Sequence, residues 1–139
     1  MASTIINKNT VPISLAMIEE SLRQIPSTDF QELKSSAKPP LCCLAVLEGV
    51  GILLNPAKQQ WEWTDDKNLM SGSKHEFLQR LFDFNKDNIN NKQLERLKSI
   101  LDRTDCQPAD IAKISRLCSE LCIWLGAILE YSNQRQISN

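Results

Sequence analysis

Residues 109–131, ADIAKISRLCSELCIWLGAILEY, decide how the rest of the chain is read. With no Pro and one Gly, this stretch predicts a single helix of about six turns, with Pro108 starting a last short helix before or within it. Leu117, Leu121, Trp124 or Leu125, Ile128 and Tyr131 recur at steps of three and four, which places them on one face. Lys113 and Arg116 stand one turn apart on a side that this apolar stripe leaves open. Beyond Tyr131 the pattern turns polar, in SNQRQI, as in a strand that leaves a compact body and needs a partner. The opposite end of the chain offers one. Leu15, Ile18, Leu22 and Ile25 follow a 3-4-3 spacing with Glu19, Glu20, Arg23 and Gln24 between them. That is the pattern of a short coiled-coil strand or of an ordinary amphipathic helix.

Composition bounds the class. At 139 residues the chain is one domain, and 42% apolar residues with few Gly and short β-branched runs favour helix over sheet. Sixteen Lys plus Arg balance 17 Asp plus Glu, so bulk charge gives no pull toward nucleic acid or membrane, and an acidic partner needs a local basic patch. The longest apolar run, 41–54, contains Glu48 and is too short to span a bilayer. Five cysteines (Cys42, Cys43, Cys106, Cys118 and Cys122), an odd number without a signal peptide, predict reduced buried thiols in a cytosolic setting. Cys118 and Cys122 are spaced for a shared metal, but a single His, His75, leaves the ligand set incomplete, and no metal or cofactor is expected. His75 reads as an exposed residue at a helix start. No phosphate loop, nucleophile motif or paired carboxylates appear, so the chain is not expected to be an enzyme.

Between the two ends, Pro26 interrupts the first pattern, and Ser27, Thr28 and Asp29 offer caps for a restart. Pro39-Pro40 forms a hinge: Pro39 forces Lys38 out of helical geometry, and Pro40 suits the first position of a helix over 41–54. That helix is apolar almost all round and therefore central, with Gly49 and Gly51 admitting the close approach of another helix. Glu48 either pairs with a cation, the favoured reading, or marks an exposed edge. Lys58 lies in a loop with Trp61, read as exposed, and Trp63, read as packed on the core. Thr64 is expected to cap a short helix with Asp65 and Asp66 in its favourable first turn, and Ser71-Gly72-Ser73 ends it. Phe77, Leu78, Leu81, Phe82 and Phe84 mark another helix, Asn90 or Asn91 caps the next, and no strand is convincing. Residues 1–12 read as disordered or foreign to the native chain.

Three landmarks occur in one order: IPSTDFQELKSSAKPP, then LEGVGILL with a Trp loop and FLQRLFDFNKDNI, then KISRLCSELCIWLGAILEY. Over roughly 13–136 this resembles the microtubule-binding domain at the stalk tip of dynein heavy chains, and FDFNKDNI with the Pro26 kink resembles axonemal forms. The resemblance implies an all-α fold, about six helices on the end of a short antiparallel two-stranded coiled coil. Residues 13–38 would be the incoming strand, 39–123 the head and 124–139 the outgoing strand. It implies a microtubule partner, α/β-tubulin, with no nucleic acid and no membrane, a monomeric fragment, and a cytoplasmic, cytoskeletal place in a ciliary or flagellar axoneme. Carried over by position, the contacts are Lys113, Arg116, Lys58, Arg80, Lys86 and Lys38, with Pro39 and Pro40 as the hinge that passes coil sliding to the head. Leu44 stands where cytoplasmic relatives have Lys, so that contact is absent or replaced by Lys38. The rival reading is a small helical adaptor that binds another protein through an exposed apolar patch. A third, an enzyme with Cys118 as nucleophile, requires an accessible thiol.

Overall fold

A computed structural model describes residues 13–103 and 106–138, which form eight helices and no strand. The expectations for residues 1–12 lie outside the described residues. In chain order the helices are α1 (Ile13–Gln24), α2 (Ser27–Ser35), α3 (Leu41–Leu54), α4 (Trp63–Leu69), α5 (Lys74–Asp83), α6 (Asn91–Leu101), α7 (Pro108–Ile111) and α8 (Arg116–Ser138). The all-α class read from the sequence is therefore what the chain adopts.

α3 is central because its sequence leaves it no polar face. Cys43, Val46, Leu47, Val50 and Ile52 are fully buried, and α4, α6 and α8 pack against it. Gly49 and Gly51 make that packing possible. A Cβ at position 49 would lie 2.7 Å from Leu125 Cδ1 on α8, and one at position 51 would run into the Trp61 ring. The close neighbour of Gly51 is thus an indole rather than a helix, and Trp61 is half-buried, not exposed as the sequence suggested. Trp63 packs on the core as expected, with its indole N–H donating to Ser36 O at 2.9 Å. The last carbonyls of α3, which no helical N–H can satisfy, accept from the buried Gln93 amide, at 3.0 Å for Ile52 O and 3.5 Å for Leu53 O.

The direction of α3 against α8 follows from two contacts. The Cys43 thiol meets Cys118, and Gly49 meets Leu125, so residue number rises together along both helices. α3 and α8 run parallel and begin at the same end of the molecule.

Several caps differ from expectation. The stretch 109–131 is not one helix: α7 stops at Ile111, and the Ser115 hydroxyl accepts the Cys118 N–H at 3.1 Å to start α8 anew. α2 starts after Pro26 with no side-chain cap, so Ser27, Thr28 and Asp29 lie inside it. α4 is set by Glu62, whose N–H is taken by Asp65 Oδ2 at 2.9 Å, and not by Thr64. Pro40 precedes α3 with ψ 151°, extended rather than helical, while its carbonyl accepts from Cys43 and Leu44. Asn90 caps α6 by a reciprocal pair with Gln93, 2.8 Å each way. Ser73 and Glu76 do the same for α5, and Gly72 supplies the φ of +87° that turns the chain into this cap. Among the described residues Glu48 makes no ion pair; the charge it bears upon is another carboxylate, Asp66.

Candidate functional site

The end where α3 and α8 begin gathers cations. Lys38 is exposed immediately before the Pro pair; Pro39 is buried, and Leu41 opens α3 with 71% of its surface exposed. On the α8 side, α7 folds back so that Ser119 Oγ donates to Pro108 O at 2.8 Å and Cys122 Sγ to Cys106 O at 3.4 Å. The turn 112–115 is thereby pushed past the start of α8. It carries Lys113, 80% exposed and 3.9 Å from Asp110, and leads into Arg116 in the first turn, also exposed.

Arg116 in the first turn of α8 opposes the macrodipole, at a cost of about 0.3–1 kcal/mol. α8 has no acid in its first turn to compensate.

The remaining sequence candidates sit elsewhere. Lys58 follows the far end of α3, a helix about 21 Å long at ~1.5 Å per residue. Its Nζ is paired with Asp65 Oδ1 at 3.1 Å and lies over the Trp61 ring, and the Glu62 N–H together with this pair holds Asp65 below the usual carboxylate range. Arg80 is exposed on α5 but donates to Ser71 O at 2.6 Å. Lys86 is not a surface cation: it is 8% exposed, 3.5 Å from Glu19 Oε2, and its Nζ donates to Phe82 O at 3.1 Å. Leu44 is half-buried on α3, one turn in from the end.

Lys86 belongs to a buried brace that sequence reasoning missed. Glu19 of α1, 7% exposed, accepts the Trp124 indole N–H of α8 at 3.1 Å as well as facing Lys86. The loop between α5 and α6 adds Phe84 edge-on to Trp124 and Asp87 accepting from the Tyr131 hydroxyl at 2.7 Å. Glu19 was detectable: it lies four residues after Leu15 and three before Leu22, on the face that α1 buries. Lys86 carried no such signal.

All five thiols are buried. Cys43 is raised far above an ordinary thiol by its hydrogen bond to Cys118 and by burial, and burial pushes Cys122 up to about 11, which keeps both protonated at neutral pH. Among the described residues no cluster of three or more His, Cys, Asp or Glu is placed to hold a metal, and no helix is long and apolar enough to cross a membrane.

Comparison with known proteins places this all-helical fold, with its buried brace and its exposed cations, in a family. The family described as the microtubule-binding stalk of dynein motor matches residues 7–134. Human dynein axonemal heavy chain 1 is 33% identical over 122 residues, covering 80% of this chain and 3% of that protein. Human dynein axonemal heavy chain 6 is 35% identical over 104 residues, 75% of this chain and 2% of that protein. Dynein heavy chain-like protein 1 of Plasmodium falciparum is 26% identical over 116 residues, 83% of this chain and 2% of that protein. The chain belongs to the dynein stalk family and spans only 2–3% of the length of these relatives.

Proposed function

We propose that this chain is the microtubule-contacting stalk tip of an axonemal dynein heavy chain, working at the cytoskeleton of a cilium or flagellum. The observation that carries the reading is the gathering of Lys38, Lys113 and Arg116 at the end where α3 and α8 begin, in a chain matched by the stalk family over 7–134. Tubulin's surface is acidic, so cations held there steer encounter and lose effect as salt screens them. Lys58 and Arg80 would join the contact only after leaving Asp65 and the Ser71 carbonyl. ATP hydrolysis would belong to the parent heavy chain, and the fragment would act as a monomer with no step of its own.

In this reading α1 and the second half of α8 are the two strands of the stalk. The loop 82–87 supports an antiparallel pairing. Phe82 meets Arg23 and Lys86 meets Glu19 one turn earlier on α1, while Phe84 meets Trp124 and Asp87 meets Tyr131 further along α8. Going backwards on α1 therefore goes forwards on α8. Sliding of α1 would reach the head through 36–40, where the Pro pair transmits displacement to the start of α3; affinity changes only by the difference in contacts between the two registers.

Co-sedimentation with microtubules tests the reading. The chain should pellet with microtubules, and Lys113→Glu with Arg116→Glu should weaken pelleting at least tenfold at low salt while the helical circular dichroism stays constant. Failure of the unmodified chain to pellet at any salt concentration would remove the proposal.

A further inference from the structure

Among the described residues the exposed large apolar side chains are Met17, Leu41, Ile114 and Ile123. Leu41 and Ile114, 71% and 56% exposed, sit with Lys38, Lys113 and Arg116 at the end where the parallel helices α3 and α8 start. Packed helices lie roughly 8–10 Å apart, so the starts of α3 and α8 fall within the span of a single contact patch. Both are presented on fixed backbone. Leu41 follows the Pro pair and opens a helix buried for most of its length, and the Ile114 N–H is bound to Ile111 O at 2.9 Å in the turn below α8.

We infer that Leu41 and Ile114 form an apolar contact within the cationic end, seated on the acidic filament surface and supplying a part of the affinity that salt does not screen. The inference rests on the microtubule reading and adds a second kind of contact to it. Protein interfaces place an apolar patch inside a polar rim, and rigid presentation reduces the ordering cost of binding. Apolar burial is not attenuated by ions on the Debye scale, whereas the contribution of Lys113 and Arg116 is. The occupant is an acidic surface rather than a second copy of this chain, because self-association through this end would bring two sets of like charges together.

The test measures microtubule affinity of the full chain by co-sedimentation over a range of potassium chloride concentrations, for the unmodified chain, Leu41→Ser, Ile114→Ser and Leu41→Met. The two Ser variants should each lower affinity by a similar factor at every salt concentration, roughly tenfold for a well-buried side chain, leaving the salt slope unchanged. Leu41→Met should bind like the unmodified chain. Both side chains are mostly exposed, so helicity and unfolding midpoints should not move. If the unmodified chain binds and both Ser variants bind equally well, the apolar contact is refuted and the microtubule reading stands. If the unmodified chain does not bind, both fall. If light scattering shows a dimer that Leu41→Ser dissociates, the patch serves self-association and the inference is overturned.

Discussion

Asp66 is a carboxylate in the wrong surroundings: it is buried, its Oδ1 has no hydrogen-bond partner, and Glu48 and Asp65 bear on it with like charge. Burial first, and then these charges, raise its pKa from 3.8 to about 7. The folded state therefore keeps a proton that the unfolded chain has released between about pH 4 and 7, so this residue makes stability fall as pH rises through that window. Above pH 7 both states are ionised and the slope vanishes. A tenfold difference in proton affinity between the two states is worth about 1.4 kcal/mol, which puts the whole effect at a few kcal/mol at most. Asp65 and Glu76, lowered by their cap hydrogen bonds, act in the opposite sense in more acidic solution. Asp66→Asn should raise stability at pH 8, leave it nearly unchanged at pH 4, and flatten the dependence between, as measured by urea unfolding. An unchanged pH profile would show that Asp66 is solvated in the folded protein. None of this was visible in the sequence, where Asp65-Asp66 reads as a favourable acidic first turn and the fate of each depends on which one faces α3.

At the scale of elements, the brace of Glu19, Trp124 and Lys86 joins α1, α8 and the α5–α6 loop through one carboxylate. Removing one member of a buried ion pair leaves the other charge uncompensated, a loss of about 3–5 kcal/mol. Lys86→Met should destabilise the fold by an amount in this range. Glu19→Gln with Lys86→Met should recover part of the loss, because the Gln carbonyl still accepts the Trp124 N–H without an orphan charge. Chemical denaturation of the single and double variants gives the coupling directly; a double variant no more stable than Lys86→Met would mean the pair is not acting as a unit. Periodicity revealed α5 and α6 because each buries a face set by nearby residues, and α3 was legible as a continuous apolar run. The break between α7 and α8 was hidden. Ser115 interrupts no apolar stripe, and with Cys118 three residues on it lacks the acidic partner of a capping box. Lys86 was misplaced for a related reason, since its burial depends on a carboxylate 67 residues away in sequence, between 19 and 86. Lys113 and Arg116 were legible as exposed charges, although the one-helix spacing used to place them does not hold for Lys113, which lies in the turn 112–115 before α8.

For the whole molecule, the parallel run of α3 and α8 brings the linker 36–40 and the turn 112–115 to one end, while α1 and the later part of α8 pack at a distance from it. Binding and stalk contacts would then occupy separate regions joined on one side by the continuous helix α8 and on the other by α2 and the linker 36–40. Hydrogen exchange on the chain alone and bound to microtubules tests this most directly. Amides of residues 38–44 and 112–117 should gain protection on binding, while those around Glu19, Asp87 and Tyr131 stay as they were. Protection confined to the α4–α5 region or to the α5–α6 loop, with 38–44 and 112–117 unaffected, would contradict the account.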